Sequence, residues 1–323
     1  MLVFVIRRAL QALVVMLTVA AVSFVLFQFV GDPVSQMLPM DATPADREAL
    51  THALGLDRPA WVQFWHFLVN ALQGDFGLSL RQAVPVSQLI AERLPATLEL
   101  AFAAVILATL IGLPAGVYAA ITRGTWRSSA MMGASLIGIS LPTFLIGILL
   151  ILVFSVWLDW LPAFGRGEVV SFGWWTSGMA TADGLKHLIL PAVTLAVFQV
   201  ALVMRLVRSE MLEVLQSDFI KFARARGLSD RAVYFTHALK NTLLPVITIT
   251  GLQLGGIIAF SIVTETVFQW PGMGLLFLQA VQFADIPVLS AYLCLIALVF
   301  VVINFCVDLL YMLIDPRLRV RRS

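Results

Sequence analysis

Long apolar runs separated by polar stretches rich in arginine, tryptophan or proline set the pattern of this chain. Runs long enough to cross a hydrocarbon core of about 30 Å fall at 9–30, 98–121, 130–157, 188–207, 246–264 and 288–313. Six membrane-spanning helices are expected from them. The first connection, 31–97, is long and polar and is interrupted by Pro33, Pro44, Pro59 and Pro85. Within it the segment Ala60–Leu72 (AWVQFWHFLVNAL) reads as an amphipathic helix that lies on the membrane or on the helix bundle. The organisation that follows is a first transmembrane helix at 1–30, an extracytoplasmic cap at 31–97, a transmembrane core at 98–314 and a basic tail at 315–323. A loop at 209–245 interrupts the core.

The placement of Lys and Arg orients the spans. With the N-terminus in the cytoplasm, fifteen of the 21 basic residues fall on the cytoplasmic side, as the positive-inside rule requires. Four of the other six lie in the long 31–97 loop, where that rule is weakest. Both termini are then inside. The connection 158–186 carries Trp160, Trp174 and Trp175, suited to an interfacial belt, and 265–287 has no Lys or Arg; both face outward. The pair Arg7 and Arg8 ahead of an apolar stretch looks like a signal peptide, but that stretch is as long as a bilayer is thick and no small-x-small cleavage site follows, so a retained helix is expected.

Composition agrees with that picture. The chain is 60% hydrophobic and 12% charged, with a mean hydropathy of +0.94, a balance that places most of it in lipid. A net charge of +2 is too small to point to nucleic acid. The two cysteines, Cys294 and Cys306, share one helical run about 18 Å apart, beyond disulfide reach.

The most informative stretch is Ser209–Pro245. Ser217 is placed to cap a short helix beginning at Asp218, whose carboxylate favours the positive end of the helix dipole, while Arg224 and Arg226 suit the negative end. Gly227 supplies the left-handed position that stops it. Ser229 is placed to cap a second short helix, with Asp230 in its first turn. Phe219, Phe222, Ala223 and Arg226 fall at i, i+3, i+4 and i+7, so one face of the first helix is aromatic and small with a basic edge. That face packs either on the protein's own helix ends or on a partner.

The run Asp218-Phe219-Ile220-Lys221-Phe222-Ala223-Arg224-Ala225-Arg226-Gly227-Leu228-Ser229, followed by His237-Ala238-Leu239-Lys240-Asn241 and Leu244-Pro245, closely resembles the EAA loop of ABC importer permeases. Against the family pattern Glu-Ala-Ala, three residues, then Gly, this chain has Lys221-Phe222-Ala223 and Gly227. The second Ala and the Gly match; the Glu and the first Ala are absent, as in the variant of peptide and nickel permeases. Gly55-Leu56-Asp57-Arg58-Pro59, Gly74-Asp75-Phe76-Gly77-Leu78-Ser79, Arg93-Leu94-Pro95-Ala96-Thr97-Leu98, Ser140-Leu141-Pro142, Glu265-Thr266-Val267-Phe268, Pro271-Gly272-Met273-Gly274 and Asp315-Pro316-Arg317 are also similar to that subfamily.

This resemblance implies an all-α membrane subunit of the bacterial inner membrane. Its cytoplasmic coupling helix would dock in a groove of an ATPase through Ser217, Asp218, Phe219, Lys221, Phe222, Ala223, Arg224, Arg226, Gly227, Asp230 and Arg231. It implies two ATPase subunits, a second and non-identical permease, and an extracytoplasmic solute-binding protein as partners. ATP and Mg are then used by the partner subunits and no cofactor is bound by this chain. The long outer loop is similar to the first permease of dipeptide and oligopeptide systems, with nickel and glutathione systems as alternatives.

Nothing in the sequence points to catalysis. Lys186, Lys221 and Lys240 follow Leu, Ile and Leu, so no phosphate-binding Gly-Lys pair exists. His52, His66, His187 and His237 lack metal-ligand spacing, and no His-Glu-x-x-His or Cys-x-x-Cys occurs. Glu99, Glu265 and Asp308 fall near the ends of spans, which weighs against a stand-alone secondary transporter or channel, the rival reading. Gln253 and Asn304 could line a polar path or hydrogen-bond between helices. Gly251, Gly255 and Gly256 form a small-residue pattern that packs against a neighbouring helix or, with Ala259 and Ser261, against a second permease. By resemblance this fifth helix and the segment from Glu265 to Gly274 help to gate the path.

Overall fold

The computed structural model describes residues 2–29, 34, 38, 43–53 and 57–314. The motif residues Gly55, Leu56 and Asp315-Pro316-Arg317 and the basic tail lie outside them. In chain order the helices are α1 (Leu2–Phe29), α2 (Pro44–Ala53), α3 (Ala60–Leu72), α4 (Val86–Ile121), α5 (Trp126–Ser140) and α6 (Thr143–Trp157). A short hairpin of β1 (Val170–Phe172) and β2 (Trp175–Ser177) precedes α7 (Ala182–Leu215), α8 (Asp218–Ala225), α9 (Ala232–Val267), α10 (Met273–Gln282) and α11 (Ile286–Ile314).

Helices α1, α4, α7, α9 and α11 are each long and apolar enough to span a membrane, and the bent pair α5–α6 makes a sixth span. The protein is thus an all-α membrane protein of the expected kind, and the amphipathic helix at Ala60–Leu72 forms as anticipated. The third span differs: the run 130–157 is not one rod but two helices at 100°. Leu141 is extended (φ −82°, ψ 132°) because the residue before a proline is pushed out of the helical region, and Pro142 has no N–H to continue the ladder. The second half of α6 (Ile151–Trp157) and the first turns of α9 (Ala232–Ala238) are π-helical.

The residues group into two compact units. The first comprises Met1–Pro95, Gly173–Trp175 and Gly272–Val302. Its core joins Val86 and Leu89 to Met273, Leu276, Ala280, Val288 and Tyr292. Phe24 of α1 meets Phe64 of α3 edge to face at 5.4 Å, which seats the amphipathic helix against α1. Thr43 and Asp46 cap α2 reciprocally, Asp46 N–H donating to Thr43 Oγ1 and Thr43 N–H to Asp46 Oδ2. Asp285, buried at the α10–α11 corner, accepts hydrogen bonds from Ser79 Oγ and from the backbone N–H groups of Leu80 and Arg81. The Arg81 guanidinium lies 3.6 Å over the Phe283 ring.

The second unit comprises Ala96–Phe172, Thr176–Pro271 and Ile303–Ser323. Helix α7 is its hub: it packs on α5, α6 and α9, and 61% of its spanning window is buried against 11% for α1. Close approach to α4 rests on Gly112 and Gly116, four residues apart on one face. A Cβ on Gly116 would come within 2.6 Å of Met204 O and Val207 Cβ, and one on Gly112 within 2.9 Å of Val203 Cβ. Small residues at this spacing let backbones meet where lipid offers no hydrophobic drive to associate.

Candidate functional site

Helix α8 and its exit turn carry the segment singled out in the loop. Ile220 and Ala223, three residues apart, are buried and join a core with Val207 and Met211 of α7 and Val233 and Ala238 of α9. The same helix turns Phe219 and Phe222 outward, 46% and 65% exposed. The helical period thus splits the predicted face: Ala223 goes inward to hold the helix down, and the two phenylalanines and Arg226 stay outside. Arg226 lies 5.9 Å from the Phe222 ring centroid, and Lys221 Nζ pairs with Asp218 Oδ1 at 2.8 Å on the solvent side. Arg224, Asp230 and Arg231 are exposed.

The turn closes as expected, with one correction at each end. Gly227 has φ +79°, Gly227 N–H donates to Arg224 O at 2.9 Å and Leu228 N–H to Ala223 O at 3.3 Å. Those two bonds define a Schellman closure. Ser217, however, does not cap α8 with its side chain; its hydroxyl donates back to Val214 O at the end of α7, and only its carbonyl serves α8, accepting from Lys221 N–H. Ser229 does accept from Ala232 N–H, but the helix it caps is not short. It runs through the π-helical turn directly into α9, so α8 connects by one glycine turn to a 36-residue rod.

The residues proposed for a path are placed differently from one another. Gln253 lines a cavity of ≈ 460 Å³ between α7 and α9, together with Gln199, Arg205 and Thr250. Asn304 is half-buried on α11 and is not among the residues lining it. Ser261 and Glu265 are fully buried: Glu265 Oε1 accepts from Thr97 Oγ1 at 2.7 Å and Ser261 Oγ at 2.9 Å. Trp270 seals the same corner, its indole N–H donating to Ala96 O at 3.0 Å. Gly251 abuts α11, where a Cβ would sit 2.5 Å from Val307 Cγ2. Gly255 is buried, and Gly256 and Ala259 are half-buried. Glu99 lies inside α4 rather than near its end, because that helix starts twelve residues before the apolar run. It is buried and pairs with Arg166 at 2.7 Å, and Arg166 is held further by Thr176 Oγ1 and O. Nothing in the sequence links Arg166 to Glu99, since 67 residues separate them. Among the described residues no three His, Cys, Asp or Glu side chains converge as metal ligands.

Six spans with a helix-turn-rod element between the fourth and fifth are the frame of a transport permease. The chain belongs to the family of binding-protein-dependent transport system inner membrane components, whose pattern matches residues 112–320, while the pattern of the family's N-terminal region matches residues 1–101. It is a multi-pass permease of the ABC importer type in the bacterial inner membrane.

Among its relatives are the dipeptide transport system permease DppB of Alkalihalophilus pseudofirmus, 38% identical over 99% of this chain and all of that one. The glutathione transport system permease GsiC of Escherichia coli is 38% identical over the same shares, and Escherichia coli DppB is 37% identical over the full length of both. In fold it is similar to the inward-facing MetNI methionine ABC transporter, with a TM-score of 0.56 and 19% identity over 70% of this chain and 96% of that one.

Proposed function

We propose that this chain is the first permease of a short-peptide importer. It pairs with a related, non-identical second permease and receives the motion of two ATPase subunits through Ser217–Arg231. The observation that carries the reading is the exposed Phe219–Phe222–Arg226 face on a helix anchored from beneath by Ile220 and Ala223. Two aromatic rings on a short cytoplasmic helix, rimmed by arginine, are the kind of anchor a partner's groove desolvates. ATP and Mg belong to the ATPase subunits, and this chain binds no cofactor of its own. A solute-binding protein on the outer face delivers the substrate.

Peptides are favoured because full-length relatives at 37–38% identity carry dipeptide and glutathione transport in their names, and glutathione is itself a tripeptide. The glutathione assignment is the second reading, and nickel the third. The test is the double substitution Phe219→Ala with Phe222→Ala in the co-expressed importer. The ATPase is expected to be lost on affinity purification while both permeases remain paired, and dipeptide uptake should fall to background. Retention of the ATPase with undiminished uptake refutes the coupling role. Competition of labelled dipeptide uptake by glutathione or Ni²⁺ separates the three substrates.

A further inference from the structure

The half-open cavity between α7 and α9 in the second unit measures ≈ 460 Å³, within the range of roughly 300–1,000 Å³ that small-molecule sites occupy. Its walls are apolar apart from four groups. Gln199 and Arg205 reach in from α7, Thr250 and Gln253 from α9. Thr250 and Gln253 are three residues apart and therefore share one helix face.

Arg205 is the unusual member. It is half-buried and makes no hydrogen bond or ion pair with any described residue. It sits ten residues before the end of a membrane-spanning helix at Leu215, about 15 Å along the axis. Thr250 Oγ1 is buried without a hydrogen-bond partner, as is the Nε of Arg208 one turn further along α7. Glu210, the next acidic residue on that helix, forms no ion pair with either arginine among the described residues. A half-buried guanidinium with no partner among the described residues, close to the end of the apolar run 188–207, marks a candidate functional position. Here it is joined by an unsatisfied hydroxyl and two carboxamides around one space of ligand size.

The chemistry selects the ligand. A planar guanidinium matches a carboxylate through two parallel hydrogen bonds, and it excludes a metal cation. Each glutamine offers both donors and an acceptor, which a backbone amide with its N–H and C=O can satisfy together and a phosphate cannot. We propose that Arg205 anchors a subsite for the free C-terminal carboxylate of a small peptide, with Gln199, Thr250 and Gln253 placed for the adjoining amide. The solute class rests on the peptide-importer reading given above; the existence of an anion subsite at Arg205 does not.

The test uses the assembled complex of both permeases and the ATPases in phosphatidylcholine nanodiscs, with phenylglyoxal as an arginine-specific probe and mass spectrometry to follow modification of Arg205. Dialanine at about ten times its dissociation constant is expected to slow that modification roughly tenfold by simple occupancy. Dialanine amide and inorganic phosphate are expected not to slow it. Arg205→Lys should keep part of the dialanine uptake that Arg205→Gln loses, with the ATPase still bound in both variants.

Equal protection by dialanine and its amide, or protection by neither, overturns the carboxylate subsite. So does protection that appears only when phosphatidylglycerol replaces phosphatidylcholine, which assigns the site to a lipid headgroup. The wild-type protein alone decides these outcomes, so a variant that fails to fold leaves the test standing. Protection by dialanine without peptide uptake upholds the subsite and defeats the importer reading. Peptide uptake with Arg205 unprotected does the reverse.

Discussion

Replacing Gly227 by alanine separates the backbone of the turn between α8 and α9 from everything around it. At φ +79° an L-residue with a Cβ is strained by about 1–2 kcal/mol. No atom lies within 4 Å of a Cβ built at this position, so no steric clash adds to that figure and no new contact offsets it. At 1.4 kcal/mol per tenfold, the native turn should lose roughly an order of magnitude in population relative to alternatives that abandon the Leu228-to-Ala223 and Gly227-to-Arg224 bonds. Ile220 and Ala223 keep α8 on the core, so what changes is the direction in which the chain leaves it.

The expected result is a protein that assembles and binds the ATPase but couples poorly, with dipeptide uptake per ATP hydrolysed falling several-fold in proteoliposomes. Asparagine tolerates the left-handed region far better than alanine, so Gly227→Asn should recover most of the loss. If Gly227→Ala couples normally, or if Gly227→Asn is as impaired as Gly227→Ala, the backbone argument is wrong.

Other outcomes follow from the same geometry. Phe222→Ala, on a 65% exposed side chain, should leave the thermal midpoint in detergent nearly unchanged, within about 0.5 kcal/mol, whereas Ile220→Ala should cost about 2–5 kcal/mol; a scanning fluorimetry series separates them. Glu99→Gln strands the buried Arg166 guanidinium and should cost about 3–5 kcal/mol, while Glu99→Gln with Arg166→Met should cost distinctly less, as a double-mutant cycle would reveal. Gly116→Leu should prevent α4 from meeting α7, because even a Cβ lies 2.6 Å from Met204 O; failure of the chain to reach the membrane intact, seen by protease sensitivity, is the expected readout. Thr97→Val should destabilise by about 1–3 kcal/mol by removing a donor to buried Glu265, and stability equal to wild type would show that this bond is not formed.

Much of the fold was legible because it depends on local pattern. Apolar length predicts spans, and Gly227 predicts a stop because left-handed backbone is a property of one residue. The bend at Leu141-Pro142 was also local, and a reading by hydrophobic length alone passes over it. The inward turn of Ala223 was not legible: five of the eight residues in α8 are apolar, and which of them turn inward depends on where α7 and α9 present Met211 and Val233. Glu99–Arg166 and Thr97–Glu265, separated by 67 and 168 residues, depend on tertiary topology that no spacing encodes. Arg205 counted in the sequence as one more cytoplasmic charge, and only the α7–α9 packing gives it a cavity.

The run of α9 from the glycine turn to its buried far end has a mechanical consequence. Its 36 residues make a beam about 54 Å long, pivoted at one end on α8 and embedded at the other by Glu265 and Trp270. A tilt of about 10° at the pivot would carry the far end through roughly 9 Å for a beam of this length. On the proposed coupling role, a turn one glycine wide would act as a fulcrum, and a small displacement at the surface of α8 would be carried along α9 towards the opposite end of the unit.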